Sequence, residues 1–374
     1  MVLEVKHSEL KALLKEYYKK KLALFLWGSF GLGKSQEVRE TAKELAKERK
    51  REFVEWNKTT TEEKENLFNN PEKYFILIDI RLSEADAGDM RLPYFKNDGS
   101  DTFEWKIPKW AKLTTNEKSD GIVFFDECNL ATPLVLSSAY KVIYDRCVDD
   151  SKIGDSWLII GAGNLETDRA NVHILPSPLR DRGGEIQLMP PSIDDWTNNF
   201  ALPNGIDSRI IGYLNFEPSF LRVVNFKDNQ KFVTERGWER LSKLIKDVKD
   251  YNLLGIICKS AIGEGTAGKF VAFCKISEKL NLEDYIKHPE KIEKLKEKDV
   301  LFFLVSALAE RYRDSKIKFD TIIDVSKVLE KNKSQEFTAV LWRFCVGYKP
   351  DKFKSDFLAC KENELIERYG KLIV

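Results

Sequence analysis

The chain has 374 residues, with 61 Lys and Arg against 60 Asp and Glu and a net charge of +1. This length fits about two domains with room for a sizeable core. The balanced charge gives no global attraction to nucleic acid or to a membrane surface. The six cysteines form no C-x-x-C pair and the three histidines are isolated in sequence, which argues against a Cys/His zinc site.

Targeting and membrane segments are not evident in the sequence. The longest apolar stretch, residues 300–309, has about half the length that a membrane span needs, and no signal peptide is recognisable. We therefore expect a cytoplasmic protein without a membrane partner. Its cysteines should stay reduced and pack as small core residues.

Five short apolar runs, rich in β-branched and aromatic residues, predict buried strands. Helical patterns lie between them. One begins after Lys34, and another begins at Thr132, where Thr-Pro suits a helix N-cap and first turn. Strands that alternate with helices indicate a parallel sheet covered on both faces. The predicted strands are 22–27, 75–80, 121–127, 157–164 and 185–189.

The pattern changes after residues 189–192. Ser192 and Asp195 resemble a capping box at the start of a helix, and helical periodicity follows. Residues 300–310 and 336–346 read as helices, and no convincing strand run appears after Met189. The sequence therefore predicts an α/β domain followed by an all-helical part.

The stretch GSFGLGKS at 28–35 matches G-x-x-x-x-G-K-[ST] completely. In such a loop the glycines let backbone N–H groups surround phosphates, Lys34 reaches the β- and γ-phosphates, and the Ser35 hydroxyl ligates Mg²⁺. A plain glycine-rich turn is the alternative, but the strand before the loop and the helix after it favour phosphate binding. The predicted phosphate-binding residues are Gly28, Ser29, Phe30, Gly31, Leu32, Gly33, Lys34, Ser35 and Gln36.

Polar side chains end two of the predicted strands. Asp126 ends one strand and can hold Mg²⁺, and the adjacent Glu127 can orient and polarise a water molecule. Asn164 ends the next strand along the chain, where a neutral amide can help to place that water. The alternatives are a surface acid pair and an asparagine that only shapes a turn.

Two arginines, Arg180 and Arg182, flank Asp181 just before the last predicted strand. Arginine is suited to stabilising charge on a transferring phosphoryl group, often in trans. The alternative is a surface salt bridge with Asp181.

These motifs, in this order, resemble the AAA+ ATPases and specifically their MoxR branch, including phage and archaeal members. The resemblance covers most of the chain. The segments that carry it are 25–42, 79–95, 122–146, 161–182, 232–245 and 261–273.

The resemblance implies a role for each matching position. Lys34 and Ser35 would contact phosphate and magnesium, Asp126 and Glu127 would be the Walker B metal acid and catalytic glutamate, and Asn164 would be sensor 1. Its assignments of the arginines are Arg182 as arginine finger, Arg180 as backup, and Arg236 as the sensor 2 residue.

The resemblance also implies a fold, cofactors and partners. The fold would be a P-loop α/β domain with a five-stranded parallel sheet of order 5-1-4-3-2, a helical lid and a C-terminal helical extension. ATP and Mg²⁺ would be the cofactors. The partners would be other copies in a hexameric ring, a protein substrate, and a separate protein with a von Willebrand factor A domain. The implied bounds are 1–191 for the α/β domain, 192–300 for the lid and 301–374 for the extension packed on it.

Three functions remain open at this level. The first is an ATP-hydrolysing remodeller or activator of a protein. The second is a nucleic-acid-linked motor or loader, for which Lys106, Lys109 and Lys112 offer positive charge near the 79–95 segment, although nearby acids such as Glu104 offset it. The third is an ATP-gated scaffold that does not hydrolyse, against which the intact Glu127 argues.

Overall fold

A computed structural model describes residues 2–95, 103–165, 168, 183–224, 232–276, 280–332, 334–360 and 368–369. The chain divides into two compact units, Met1–Pro190 and Pro191–Val374. Strands and helices alternate through the first unit, whereas the described part of the second unit contains helices and no named strand.

The first unit is built on a parallel sheet of seven strands. Its order is β1-β11-β2-β10-β7-β4-β3, and two separate hairpins pair β5 with β6 and β8 with β9. The strands are β1 Leu3–Val5, β2 Leu24–Trp27, β3 Glu52–Glu55, β4 Tyr74–Arg81, β5 Leu92–Phe95, β6 Phe103–Lys106, β7 Gly121–Asp126, β8 Cys147–Val148, β9 Ser151–Lys152, β10 Trp157–Gly163 and β11 Gly184–Leu188.

The five inner strands, β11-β2-β10-β7-β4, have the predicted order 5-1-4-3-2. The predicted α/β P-loop fold with this order of inner strands is therefore confirmed. The predicted number of strands was too low, because β1 adds to one edge of the sheet and β3 to the other. Both are short and carry exposed glutamates, so neither shows the apolar run that marks a buried strand.

Helices cover both faces of this sheet. One core lies between the sheet and helices α1 and α2, and the other lies between the sheet and helices α5 and α6. The helices of this unit are α1 His7–Lys20, α2 Lys34–Glu48, α3 Thr61–Asn69, α4 Ala87–Met90, α5 Lys109–Thr114 and α6 Pro133–Asp145. The helices predicted after Lys34 and at Thr132 are thus present, because their apolar residues fall on one buried face.

An antiparallel hairpin, β5–β6, follows α4. Its aromatic side chains are exposed, with Phe95 at 69% and Trp105 at 37%, and Arg91 stacks on the Trp105 ring. This hairpin lies in and beyond the 79–95 segment, where the family resemblance implies an insertion. A position facing the pore of a ring stays a prediction.

The second unit packs around one hydrophobic core that runs through its whole described length. Its first helix begins where predicted, since the Ser192 hydroxyl accepts a hydrogen bond from the Asp195 N–H at 3.1 Å. Its helices are α7 Ile193–Trp196, α8 Ser208–Phe216, α9 Glu235–Ile245, α10 Tyr251–Ile262, α11 Glu264–Cys274, α12 Leu282–Lys287, α13 Lys298–Arg313, α14 Phe319–Lys331, α15 Gln335–Tyr348 and α16 Pro350–Ala359.

The finer division of this unit into 192–300 and 301–374 stays a prediction. Among the described helices of both units, none is long and apolar enough to cross a membrane.

A buried carboxylate, Asp120, lies directly before β7 and holds the sheet at the amino end of this strand. The Tyr18 hydroxyl donates to its Oδ1 at 2.6 Å, and Arg49 Nε donates to its Oδ2 at 3.0 Å. The Arg51 guanidinium lies 3.6 Å from the same Oδ2. Burial, followed by the contact with Asp120, raises the pKa of Tyr18 above its usual range. Asp120 thus ties α1 and the end of α2 to the sheet.

Asp120→Ala should lower the free energy of unfolding by about 3 kcal/mol, because it leaves the partly buried Tyr18 hydroxyl without its acceptor and removes the buried carboxylate that pairs with Arg49 and Arg51. Chemical denaturation measures this change. Asp155→Ala is the control, since Asp155 meets Lys21 only in an exposed pair at 3.5 Å and should change stability by less than about 0.5 kcal/mol. Equal losses in the two variants would contradict the anchoring role of Asp120.

Candidate functional site

The loop between β2 and α2 has a backbone that only glycine adopts readily at two positions. Gly31 has φ 79° and Gly33 has φ 82°, in the left-handed region that disfavours side chains. Gly28 is close to β11, because a Cβ there would lie 3.3 Å from the Leu188 carbonyl oxygen. The loop leads directly into the N-terminus of α2 at Lys34, where unpaired N–H groups and the helix dipole favour an anion.

The side chain of Lys34 is buried, with 8% exposure. Its Nζ donates to the carbonyl oxygens of Gly28 at 2.6 Å and Ser29 at 3.2 Å, and to Asn164 Oδ1 at 3.3 Å. A buried ammonium is stable only when such acceptors replace its water. The cation is therefore held between the loop and the end of β10, where it can meet an anionic group.

Ser35 and Asp126 are in direct contact. The Ser35 hydroxyl donates to Asp126 Oδ2 at 2.7 Å, while Asp126 Oδ1 accepts from the Glu127 N–H at 2.9 Å. A hydroxyl and a carboxylate are the hard oxygen ligands that suit Mg²⁺. The side chains present at this edge of the sheet thus fit the metal ion that the sequence predicts.

Glu127 has a strained backbone. Its φ of 55° and ψ of 36° place it in the left-handed region, which a non-glycine residue rarely adopts. The Ser83 hydroxyl donates to its carboxylate at Oε2. Strain of this kind persists where the surrounding structure fixes a functional side chain. Ser83 was not identified from the sequence, because a serine after a strand carries no distinguishing signal.

Asn164 is positioned by Asn129. The Asn129 amide donates to the Asn164 carbonyl oxygen at 2.8 Å, and the Asn164 N–H donates to Asn129 Oδ1 at 3.0 Å. Gly163 allows this approach, since a Cβ there would lie 2.8 Å from Asn129 Oδ1. Asn129 was also missed. The one signal available in the sequence was a polar residue two positions after the Asp126–Glu127 pair.

Asp79 is a further acid at this edge of the sheet. It lies on β4 opposite Phe124 of β7, and its Oδ1 is buried without a hydrogen-bond partner among the described residues. Burial, and then repulsion from Asp126, raise the pKa of Asp79 to about 6. The sequence placed Asp79 within a predicted strand but gave it no role, although an aspartate in an apolar strand is itself unusual.

A second contact holds the loop from the other side. The Ser29 hydroxyl donates to Asp168 Oδ1 at 2.8 Å, and Asp168 has only 9% exposure. Ser29 was predicted as a phosphate-binding residue, whereas Asp168 was not singled out. This contact ties the loop to the segment that follows β10.

The remaining predicted residues are placed as follows. Leu32 is buried in the core beneath the loop, and Gln36 is exposed and donates to Glu40. Arg236 is exposed near the start of α9 in the second unit. Arg180 and Arg182 lie outside the described residues. The catalytic and ligand-binding roles of all these side chains stay predictions.

Comparisons with known proteins give structural similarity only. No model of a protein family matches the chain, and no curated protein matches it. Among solved structures, it is similar to the Thermotoga maritima RuvB Holliday junction branch migration motor, with 17% identity and a TM-score of 0.35, covering 87% of this chain and 86% of that one.

Two further solved structures are similar at the same level. A DNA replication initiation factor has 11% identity and a TM-score of 0.34, with 93% of this chain and 94% of that one covered. C. elegans PCH-2 has 15% identity and a TM-score of 0.30, with coverage of 83% and 68%. At such low scores and identities, these similarities carry no argument about activity.

The raised pKa of Asp79 predicts a stability effect that depends on pH. The folded-state pKa of about 6 lies above the ordinary value near 4, so the ionised carboxylate destabilises the fold above pH 6 and this penalty disappears as pH falls toward 4. Asp79→Asn should therefore raise the free energy of unfolding by about 1–2 kcal/mol at pH 7.5, after allowance for solvent screening. The gain should vanish near pH 4.

Glu55→Gln is the matched control for this measurement. Burial raises the pKa of Glu55, but its contacts with Lys58 and Arg39 outweigh that effect and lower it. Neutralising Glu55 should therefore destabilise the protein at pH 7.5, the opposite sign. Denaturation at several pH values decides the matter, and equal losses for both variants would show that the Asp79 carboxylate carries no penalty.

Proposed function

We propose that the chain is an AAA+ ATPase of the MoxR type that hydrolyses ATP to remodel or activate a protein partner. The observation that carries the ATPase part is the convergence of Lys34, Ser35, Asp126 and Asn164 at the carboxyl edge of three adjacent strands. Ligands of open parallel sheets bind at this edge. A buried cation beside a hydroxyl–carboxylate pair suits a triphosphate and its metal ion.

The loop and Lys34 would bind the phosphates. The Nζ of Lys34, held by carbonyl and amide oxygens, is positioned to exchange a neutral acceptor for a charged phosphate oxygen, which forms a stronger hydrogen bond. The N-terminus of α2 adds its dipole to the same place. Mg²⁺ bound through Ser35 and Asp126 would neutralise charge on the β- and γ-phosphates.

Glu127 and Asn164 would position the attacking water. Ser83 holds Oε2 of Glu127 and so orients the carboxylate, which accepts a hydrogen bond from the water and polarises it. Asn129 fixes the backbone of Asn164, so that the Asn164 amide is held beside Lys34. Catalysis would rest on positioning and electrostatics, which is most of what phosphoryl transfer requires.

The MoxR-type role adds assembly and partners. The resemblance of the 79–95, 161–182 and 232–245 segments supports a hexameric ring in which Arg182, or Arg180, reaches the nucleotide of a neighbouring copy and Arg236 couples the lid to nucleotide. A separate protein with a von Willebrand factor A domain and a protein substrate would be the partners.

Two substitutions should separate binding from hydrolysis. Lys34→Ala should weaken ATP binding at least 100-fold, because the site loses its buried cation. Glu127→Gln should bind ATP normally but hydrolyse it at least about 100-fold more slowly, because an amide cannot polarise the water as a carboxylate does. Nucleotide titration and steady-state phosphate release measure the two effects.

Lys43→Ala is the control for this experiment, since Lys43 lies on the same helix but pairs with Glu40 away from the loop. It should change neither quantity. Full turnover by Glu127→Gln would overturn the role of this glutamate, and unchanged binding by Lys34→Ala would overturn the phosphate site itself.

Ring assembly predicts that specific ATPase activity rises with protein concentration, because each site would need an arginine from its neighbour. Mass photometry on the same samples, with ATP and the Glu127→Gln variant, should show oligomers over the range in which activity rises. A monomer with turnover independent of concentration would contradict the shared site.

A further inference from the structure

We propose that Asp79 is a second acidic residue of the magnesium site, accepting a hydrogen bond from a water molecule bound to the ion. This proposal rests on the proposed function and extends its metal site by one residue. Mg²⁺ in proteins keeps several waters and is usually bound through one or two carboxylates. Carboxylates that hold those waters from outside are therefore expected beside the direct ligands.

The register of the sheet places Asp79 beside Asp126. Asp79 pairs with Phe124, and the next residue of the same face on β7 is Asp126. Because side chains alternate between faces with a period of two, Asp79 and Asp126 are diagonal neighbours on one face. Phe124 belongs to the core beneath α2, the helix whose first turn carries Ser35. The two carboxylates therefore lie on the face of the sheet that α2 covers, and the Ser35 hydroxyl donates to one of them.

The cations near Asp79 are engaged elsewhere. Arg39 Nε donates to Glu55 at 3.1 Å, and Arg81 Nη1 donates to Glu84 at 3.3 Å. The Asp79 N–H donates to Asn57 Oδ1 at 3.2 Å, which places the backbone but leaves the carboxylate to find another partner. Within the described part of the chain, Oδ1 of Asp79 is buried and accepts no hydrogen bond.

Asp120 shows what a structural acid looks like in the same sheet. Asp120 is more deeply buried than Asp79, yet a tyrosine hydroxyl and an arginine donate to its oxygens. A buried carboxylate without such donors destabilises the fold. A hydrated divalent cation at Ser35 and Asp126 would supply both the missing donor and the compensating charge.

Binding of Mn²⁺ to the full-length protein with ADP, followed by electron paramagnetic resonance, tests the proposal without using turnover. Asp79→Asn keeps the shape of the side chain and should raise the Kd for Mn²⁺ about tenfold. Its affinity for ADP in the presence of EDTA should equal that of the wild type. Its melting temperature without metal should be no lower than that of the wild type, which shows that the variant is folded.

Glu55→Gln is the control, because it removes a carboxylate from the same neighbourhood that is already paired with Arg39. It should change the Kd for Mn²⁺ by less than about twofold. An equal loss in Glu55→Gln would show that only the general negative field matters and would overturn the proposal. Unchanged Mn²⁺ binding in Asp79→Asn would also overturn it, while the proposed ATPase function stands if wild-type protein binds Mn²⁺ with ADP. If the wild-type protein binds neither Mn²⁺ nor ADP, the proposed function and this proposal are both overturned.

Discussion

The buried ammonium of Lys34 is the constraint on which the candidate site depends. A charge with 8% exposure persists only with oxygen acceptors around it, and these come from the loop and from the end of β10. The loop can offer its carbonyls because Gly31 and Gly33 adopt positive φ. The end of β10 can offer Asn164 because β10 and β2 are neighbours in the sheet. One side chain thus requires both the local turn and the strand order.

Two features of this site cost stability. Glu127 holds a left-handed backbone, and Asp79 keeps a buried oxygen without a donor among described groups. At the opposite edge, Asp120 has every sign of a structural acid, with hydroxyl and guanidinium donors. Proteins tolerate strain and unpaired charge where function requires them. The contrast between the two edges therefore supports a functional site at the carboxyl edge.

The cysteines and aromatic rings buried in the second unit are residues of its hydrophobic core. Cys258, Cys274 and Cys345 are buried there, and burial raises the pKa of Cys258 to about 12, which disfavours the reactive thiolate form. Trp342 packs against the rings of Phe319 and Phe353. The expectation that the cysteines pack as small core residues is met at these positions.

The sequence by itself determined the glycine-rich loop at 28–35, the five inner strands and the helical character of the second half. Each of these depends on residues close together in the chain: a fixed spacing of glycine, lysine and serine, apolar runs, and helical periodicity. The order of the strands followed from the family resemblance of those motifs. The edge strands β1 and β3 were not predicted, because a partly exposed strand lacks the apolar run of a buried one.

Only the tertiary structure decided which side chains support the site. Asn129 meets Asn164 across 35 residues, Ser83 meets Glu127 across 44, and Ser29 meets Asp168 across 139. Serine, asparagine and aspartate at such positions look like ordinary loop residues in sequence. Their partners are fixed by the parallel pairing of strands that are distant in the chain, because this pairing brings the carboxyl ends of those strands to one edge.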